Sequence, residues 1–300
     1  TIILWFTVKW RPTPQFSKKR VKDHFTFGWK LLVSSLIDTT YRDLRSLIVG
    51  KVYNPAMLGY YNRGQQFPQL IISNINGSIQ AVMLPALAAQ QDDTERVKSI
   101  MRRSIATSSF IVFPMMLGLA VVGKPLVILL LTEKWLPAVP FLQIFCISYA
   151  LWPLHTANLQ AINAMGRSDI FLKLEVIKKI VGLVILGVSI PFGIYALALG
   201  EIISSLLSTF INAYPNNKLL GYGYLEQLKD VLPSALLSFV MCIGIIPISL
   251  IPLPSILILI AQIVVGSVLY IGLAYVLRFE SLTYLIKNMR LMLSKEFSDD

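Results

Sequence analysis

Residues 255–277 read Ser255-Ile256-Leu257-Ile258-Leu259-Ile260-Ala261-Gln262-Ile263-Val264-Val265-Gly266-Ser267-Val268-Leu269-Tyr270-Ile271-Gly272-Leu273-Ala274-Tyr275-Val276-Leu277, without one charged side chain. A helix needs about 20 apolar residues to cross a hydrocarbon core ~30 Å thick, and this stretch has that length. It is too long and too unbroken for a membrane-barrel strand, in which segments of ~10 residues alternate in polarity. The rest of the chain has the same character. Of its 300 residues 55% are hydrophobic and 14% are charged, with a mean hydropathy of +0.66. A soluble domain carries about 25% charged residues, so soluble, disordered and collagen-like classes are excluded. The expected fold class is all-α integral membrane.

Working outward with the length rule, and with breaks at charge, Pro and Gly clusters, gives eight spans: 25–50, 62–87, 104–131, 138–163, 170–190, 194–214, 231–251 and 255–277. Ile2 to Val8 is an apolar stub ending at Lys9. Its charge follows the apolar run instead of preceding it, which is the wrong order for a signal peptide. Segment 1–8 therefore reads as the end of a membrane helix whose start is missing, and the chain as a C-terminal fragment. Residues 9–24 form a basic linker, and 278–300 a charged tail with amphipathic helical character. Cys146 and Cys242 both sit inside apolar runs, with neither disulfide nor metal spacing.

The chain has 27 basic and 16 acidic residues, net +11. In a soluble protein this would suggest nucleic acid; here the basic residues cluster between spans, so the partner is the membrane and no nucleic acid is expected. With the linker in the cytoplasm, inside segments hold 20 Lys and Arg, outside segments 4, and the first span 3. The positive-inside rule then places both ends of the segment in the cytoplasm.

The two polar spans carry the functional information. A charge at mid-membrane costs about 2.5–3.5 kcal/mol on insertion scales, yet span 25–50 holds Lys30, Asp38, Arg42, Asp43 and Arg45. At the helical repeat, Ser34, Asp38, Tyr41, Arg42 and Arg45 fall within ~100° of one another as one stripe. Asp38 and Arg42 are four residues apart and can pair, whereas Asp43 lies on the other side and needs a partner on a neighbouring helix. Span 62–87 repeats the stripe without charge: Asn62, Gln66, Gln69, Ser73, Asn76 and Gln80 occupy one narrow face. Amides also bond membrane helices together, but six in register beside a charged helix point to the wall of a hydrated cavity. His155 and Glu201 complete the set of intramembrane titratable groups, and with Asp43 they are candidates for ion coupling. A packed histidine and an interfacial carboxylate are the plainer readings of the last two. Pro114 is expected to kink span 104–131.

Four loop stretches resemble a known family. They are Leu58-Gly59-Tyr60-Tyr61-Asn62-Arg63, Gln91-Asp92-Asp93-Thr94-Glu95-Arg96, Glu133-Lys134-Trp135-Leu136-Pro137-Ala138-Val139-Pro140, and Ala164-Met165-Gly166-Arg167-Ser168-Asp169. In this order, between these spans, they resemble the polysaccharide-biosynthesis (O-antigen, lipopolysaccharide) flippases of the multidrug/oligosaccharidyl-lipid/polysaccharide exporter superfamily, over about 25–230. The resemblance implies two helical lobes around a central, often cationic cavity with alternating access. Residues 25–214 would be the six-helix C-terminal lobe, 215–277 two additional helices, and the N-terminal lobe would be missing. It also implies a function: moving undecaprenyl-diphosphate-linked oligosaccharide from the cytoplasmic to the periplasmic leaflet of the bacterial inner membrane, with H+ or Na+ as coupling ion and no cofactor. Lys30, Arg42 and Arg45 would attract the diphosphate, and the amides of span 62–87 would match sugar hydroxyls. A multidrug exporter of the same superfamily would favour acidic and aromatic groups over this basic stripe. An integral-membrane polymerase or acyltransferase would need a large outward loop or clustered His and Asp, and only His24 and His155 exist. The expectation is a transporter and not an enzyme.

Overall fold

The computed structural model describes residues 16–296. The stub 1–8 and the linker's first residues lie outside this range, as does the end of the tail. The described chain forms ten α-helices: α1 (Lys18–Val52), α2 (Pro55–Ala88), α3 (Thr94–Leu131), α4 (Val139–Tyr149), α5 (Trp152–Ala164), α6 (Ser168–Ser189), α7 (Ile194–Leu220), α8 (Tyr224–Ile245), α9 (Ser255–Val276) and α10 (Glu280–Glu296). Each of the eight expected spans falls on this helical framework. Six stretches are long and apolar enough to cross a membrane: Pro55–Ala88, Thr94–Leu131, Glu133–Ala164, Ile194–Leu220, Tyr224–Leu250 and Ser255–Val276. The count of eight is therefore not reached on length and composition. The two that fall short, α1 and α6, are the charge-bearing ones, and they pack against each other.

Span 138–163 is broken in two. Pro153 enters the first turn of α5, where its missing N–H and its ring remove the bond that would continue α4. The chain turns through Ala150 and Leu151 instead, with Leu154 N–H bonding back to the Leu151 carbonyl. Pro68 and Pro85 sit inside α2, Pro114 and Pro125 inside α3, and both helices remain continuous. Asn54 caps α2 by accepting the Met57 N–H at 2.8 Å, and Asp93 caps α3 by accepting that of Arg96 at 3.1 Å.

The helices run up and down with short turns. The Tyr53 hydroxyl donates to the Ile190 carbonyl at 2.7 Å, joining the turns after α1 and α6 at one end of the bundle. Lys98 donates to the Gly221 carbonyl at 2.7 Å at the opposite end. Helix α3 is central, packed by α2, α4, α5, α8 and α9. The main apolar core joins α2, α3, α4 and α5 through residues such as Ile72, Met101, Met116, Phe141 and Phe145. A second cluster of Phe110, Leu237, Met241, Cys242, Tyr270 and Ala274 seats α8 and α9 against α3. Both cysteines are buried free thiols.

At Gly64 the backbones of α2 and α4 come close together. A Cβ there would lie 2.5 Å from Phe141 Cβ, 2.8 Å from the Leu142 nitrogen and 2.9 Å from the Ala138 oxygen. At Gly77 it would meet nothing within 4 Å. Gly64→Ala is accordingly expected to destabilise by about 1–3 kcal/mol through overpacking, while Gly77→Ala is neutral or stabilising. Thermal unfolding of the detergent-purified variants measures the difference, and equal melting would contradict the close approach.

Candidate functional site

Helix α1 has more charge than it can pair alone, and the structure supplies partners from α6 and α7. Asp38 pairs with Arg42 at 3.2 Å and also with Lys179 of α6. Lys179 lies over the Tyr41 ring at 4.8 Å. Arg45 pairs with Glu201 of α7, donates to the Leu197 carbonyl at 3.1 Å and lies 6.0 Å from the Tyr61 ring. Lys178 pairs with Glu175 along α6 at 2.5 Å. Glycines permit this packing: a Cβ on Gly182 would strike the Tyr41 hydroxyl at 2.6 Å, and one on Gly200 would meet Ser189 at 3.0 Å.

This arrangement separates residues that sequence reasoning had grouped. Arg45, expected at the substrate, is largely enclosed and already neutralised by Glu201, which was itself a candidate for ion coupling. The Arg42 side chain is 61% exposed, and it shares Asp38 with Lys179. One carboxylate between two cations leaves positive charge on the exposed side of the stripe. Lys30 lies further along α1, its carbonyl accepting from Ser34 at 2.8 Å. Asp43 is exposed, and among the described residues no cation lies within ion-pair distance of it. The neighbouring-helix partner expected for Asp43 is therefore not found there.

Lys178 and Lys179 fall within the expected span 170–190, although the charge count placed them with an inside segment, 165–180; they sit in the middle of α6. Their signal was present, since a Glu-x-x-Lys-Lys run inside an apolar segment needs partners, but the charge count absorbed it. Removing them from the inside segments leaves a strong basic bias.

The amide stripe of α2 divides as well. Asn62, Gln66, Gln69 and Ser73 are exposed, while Asn76 and Gln80 are half-buried. Thr156 of α5 donates to Asn76 Oδ1, so at this position the amide does bond helices together. Asn62, Gln66 and Gln69 line a cavity of ≈ 550 Å³ with Gly59, Arg63, Gln65 and Trp135. Gln65 donates to the Tyr149 hydroxyl at 2.7 Å. That bond ties Tyr149, at the end of α4, to the amide-bearing helix α2. Gln65, Tyr149 and Trp135 lay off the helical stripe and were missed for that reason.

His155 has both ring nitrogens engaged, Nε2 with Ser205 Oγ at 3.2 Å and Nδ1 with Asn212 Nδ2 at 3.1 Å. Ser205 in turn donates to the Ser148 carbonyl at 3.1 Å, beside the α4–α5 break. With the Asn212 amide in this orientation its Nδ2 donates to Nδ1, and Nε2 is the ring nitrogen that faces the Ser205 hydroxyl. The histidine closes a polar gap left by the broken helix.

Comparison with known proteins places this geometry among relatives. A family model described as "Polysaccharide biosynthesis protein" matches residues 1–140. A protein of Klebsiella pneumoniae named "Uncharacterized membrane protein in cps region" is 30% identical over 243 residues, 80% of this chain and 48% of its own length. The "Lipopolysaccharide biosynthesis protein WzxC" of Escherichia coli is 28% identical over 228 residues, 74% of this chain and 46% of that protein. The resemblance to polysaccharide-biosynthesis membrane proteins holds. Among solved structures, "Lipid II flippase MurJ, inward closed conformation" superposes with a TM-score of 0.71 over 92% of this chain and 58% of the other, at 14% identity. At that identity the likeness is one of fold. The chain is a multi-pass helical membrane protein spanning about half the length of these curated relatives.

The Arg45–Glu201 pair generates a direct test. Removing one member of an enclosed pair costs about 3–5 kcal/mol, because the other is left uncompensated. Arg45→Met and Glu201→Gln singly are expected to lose most folded yield and to melt earlier, whereas the double substitution recovers most of the loss. Thermal unfolding of the four proteins completes the cycle, and additive losses would show that the two side chains do not act as a pair.

Proposed function

We propose that this chain is the C-terminal lobe of a flippase that moves undecaprenyl-diphosphate-linked oligosaccharide from the cytoplasmic to the periplasmic leaflet of a bacterial inner membrane, by alternating access and without covalent chemistry. The observation that carries the reading is the exposed amide face of α2. Asn62, Gln66, Gln69 and Ser73 stand uncovered by the chain's own helices in a molecule whose other exposed faces are rich in Leu, Ile and Val. Such a face is costly against lipid and needs water, sugar hydroxyls or another polar wall opposite. An N-terminal lobe supplies that wall in this reading, and the chain's half-length match to its relatives supports it.

In the same reading α1 and α6 also cross the membrane, giving eight spans with both ends of the segment cytoplasmic. The two enter as a couple because Asp38 and Lys179 neutralise each other. The diphosphate is drawn by Arg42, the arginine of the stripe left exposed, with Lys30 further along the same helix. The polyprenyl tail stays in lipid. Of the three groups considered for H+ or Na+ coupling, Glu201 is held by Arg45 and His155 by Ser205 and Asn212, which leaves Asp43 as the coupling candidate. The names borne by the relatives, a lipopolysaccharide biosynthesis protein and a lipid II flippase, support a lipid-linked sugar as cargo.

The test is export in the full-length protein. A hydrogen bond to a charged group contributes about 1.5–3 kcal/mol, roughly 10–100-fold. Arg42→Ala should therefore lower glycan export by at least about tenfold with normal membrane yield, and Arg42→Lys should retain part of it. Undiminished export in Arg42→Ala would reject Arg42 as the diphosphate group.

A further inference from the structure

Two of the loop motifs, 58–63 and 133–140, are about 70 residues apart in sequence, yet they meet at one wall of the ≈ 550 Å³ cavity. Trp135 stands edge-to-face with Tyr60, ring centroids 5.8 Å apart and planes at 88°. The Arg63 guanidinium lies 5.6 Å from the Trp135 ring centre, and its Nη1 donates to Gln66 Oε1 at 2.6 Å. Gly59 lies beside the indole, where a Cβ would sit 3.9 Å from the ring. The indole is thus fixed in orientation by Tyr60, Arg63 and its packing against the core, and the part of it left uncovered lines the cavity. Among the described residues Arg63 has no carboxylate within ion-pair distance.

We infer that this wall is a subsite for an acidic sugar of the transported glycan: a pyranose whose apolar face lies on Trp135 and whose ring carboxylate is held by Arg63. The inference rests on the flippase reading and deepens it by assigning a carbohydrate class. Three features converge on that class. A flat aromatic surface suits the C–H face of a pyranose and offers nothing to a diphosphate, which has no apolar face. A guanidinium with no carboxylate partner among the described residues, and with donors left beside the one given to Gln66, matches a carboxylate in two parallel hydrogen bonds. The amides of Asn62, Gln66 and Gln69, on the same wall, supply the donors and acceptors that sugar hydroxyls require. The site sits at the end of the bundle that holds the starts of α2 and α4, whereas Arg42 belongs to the mid-length stripe of α1. The two anionic parts of one cargo, its linkage and its glycan, would thus be held by different arginines.

The test uses purified full-length protein, a glucuronate-containing tetrasaccharide, the same tetrasaccharide with its carboxylates reduced, and inorganic pyrophosphate as competitor. Binding is read by titration calorimetry. The expected result is that Trp135→Ala and Arg63→Gln each weaken glucuronate-oligosaccharide binding at least about tenfold. Trp135→Phe and Arg63→Lys, which keep the ring or the charge and report on folding, should retain a measurable part. The reduced oligosaccharide should bind the wild type as weakly as the acidic one binds Arg63→Gln, and pyrophosphate should not displace the sugar. Unchanged binding in the Trp135 and Arg63 variants, no binding to the wild type, or equal displacement by pyrophosphate would each overturn the subsite. Its failure is separable from that of the flippase reading. Export lost in Arg42→Ala without glucuronate binding sinks the subsite alone. Glucuronate binding that depends on Trp135 and Arg63, in a protein that exports nothing, sinks the flippase and leaves a sugar-binding wall.

Discussion

Charge enclosed within a helical bundle must be paired, and much of this chain is arranged around that requirement. Helix α1 brings Asp38, Arg42 and Arg45 into the bundle, α6 brings Glu175, Lys178 and Lys179, and α7 brings Glu201. Leaving one of these ions uncompensated costs several kcal/mol, so the three helices are held in one relative register. Arg45 meets Glu201, Asp38 meets Lys179, and glycines at 182 and 200 let the backbones come close enough for this. The pairing is incomplete at one place, where Asp38 serves two cations and Arg42 remains exposed. That residual positive charge lies next to a helix whose own polar face has no cover.

The opposite end of the bundle is closed by a different device. Asn158, Asn216 and Gln227, all fully buried, bond to one another and tie α5, α7 and α8 together. Nearby, Arg102 of α3 pairs with Asp230 of α8 at 2.8 Å, and Tyr222 donates to the same carboxylate at 2.7 Å. Burial and the Asp230 charge push the Tyr222 phenol upward, which keeps it a donor. Buried polar networks of this kind favour one packing, and here a single atom of the amide triad, Asn216 Oδ1, has no partner among the described residues. The end near Gly221 is therefore sewn shut, while the end near Trp135 holds an open cavity.

Much of this was legible in the sequence, for physical reasons. Apolar runs of membrane length located the helices, and the regular spacing of Asn62, Gln66, Gln69 and Ser73 located the exposed polar face, because helical periodicity is a local property. Tertiary pairing was not legible. Nothing in the spacing of Arg45 says that a carboxylate about 150 residues away on α7 meets it, so Arg45 and Glu201 were assigned separately and their pairing was not foreseen. Lys179 lay within the expected span 170–190 but was counted with an inside segment, because no partner for it can be read from sequence; in three dimensions Asp38 supplies one. The break at residues 150–151 was hidden because the flanking segments are equally apolar and Pro153 is compatible with either a kink or a new helix start. The Trp135 wall was missed because Trp135 lies in the turn before α4, off the helical stripe that located the amide face.

The account stands on the face of α2 being wet in the membrane. The native cysteines, Cys146 and Cys242, are buried and give little background, so single cysteines can be placed along α2 in the full-length protein and treated in membranes with a small hydrophilic thiol reagent. The account predicts modification at Gln66, Gln69 and Ser73 and protection at Ile71 and Ile75, which pack against the core. Equal protection of both sets would contradict it, and would make the amide face a surface for bonding helices with no water-filled path beside it.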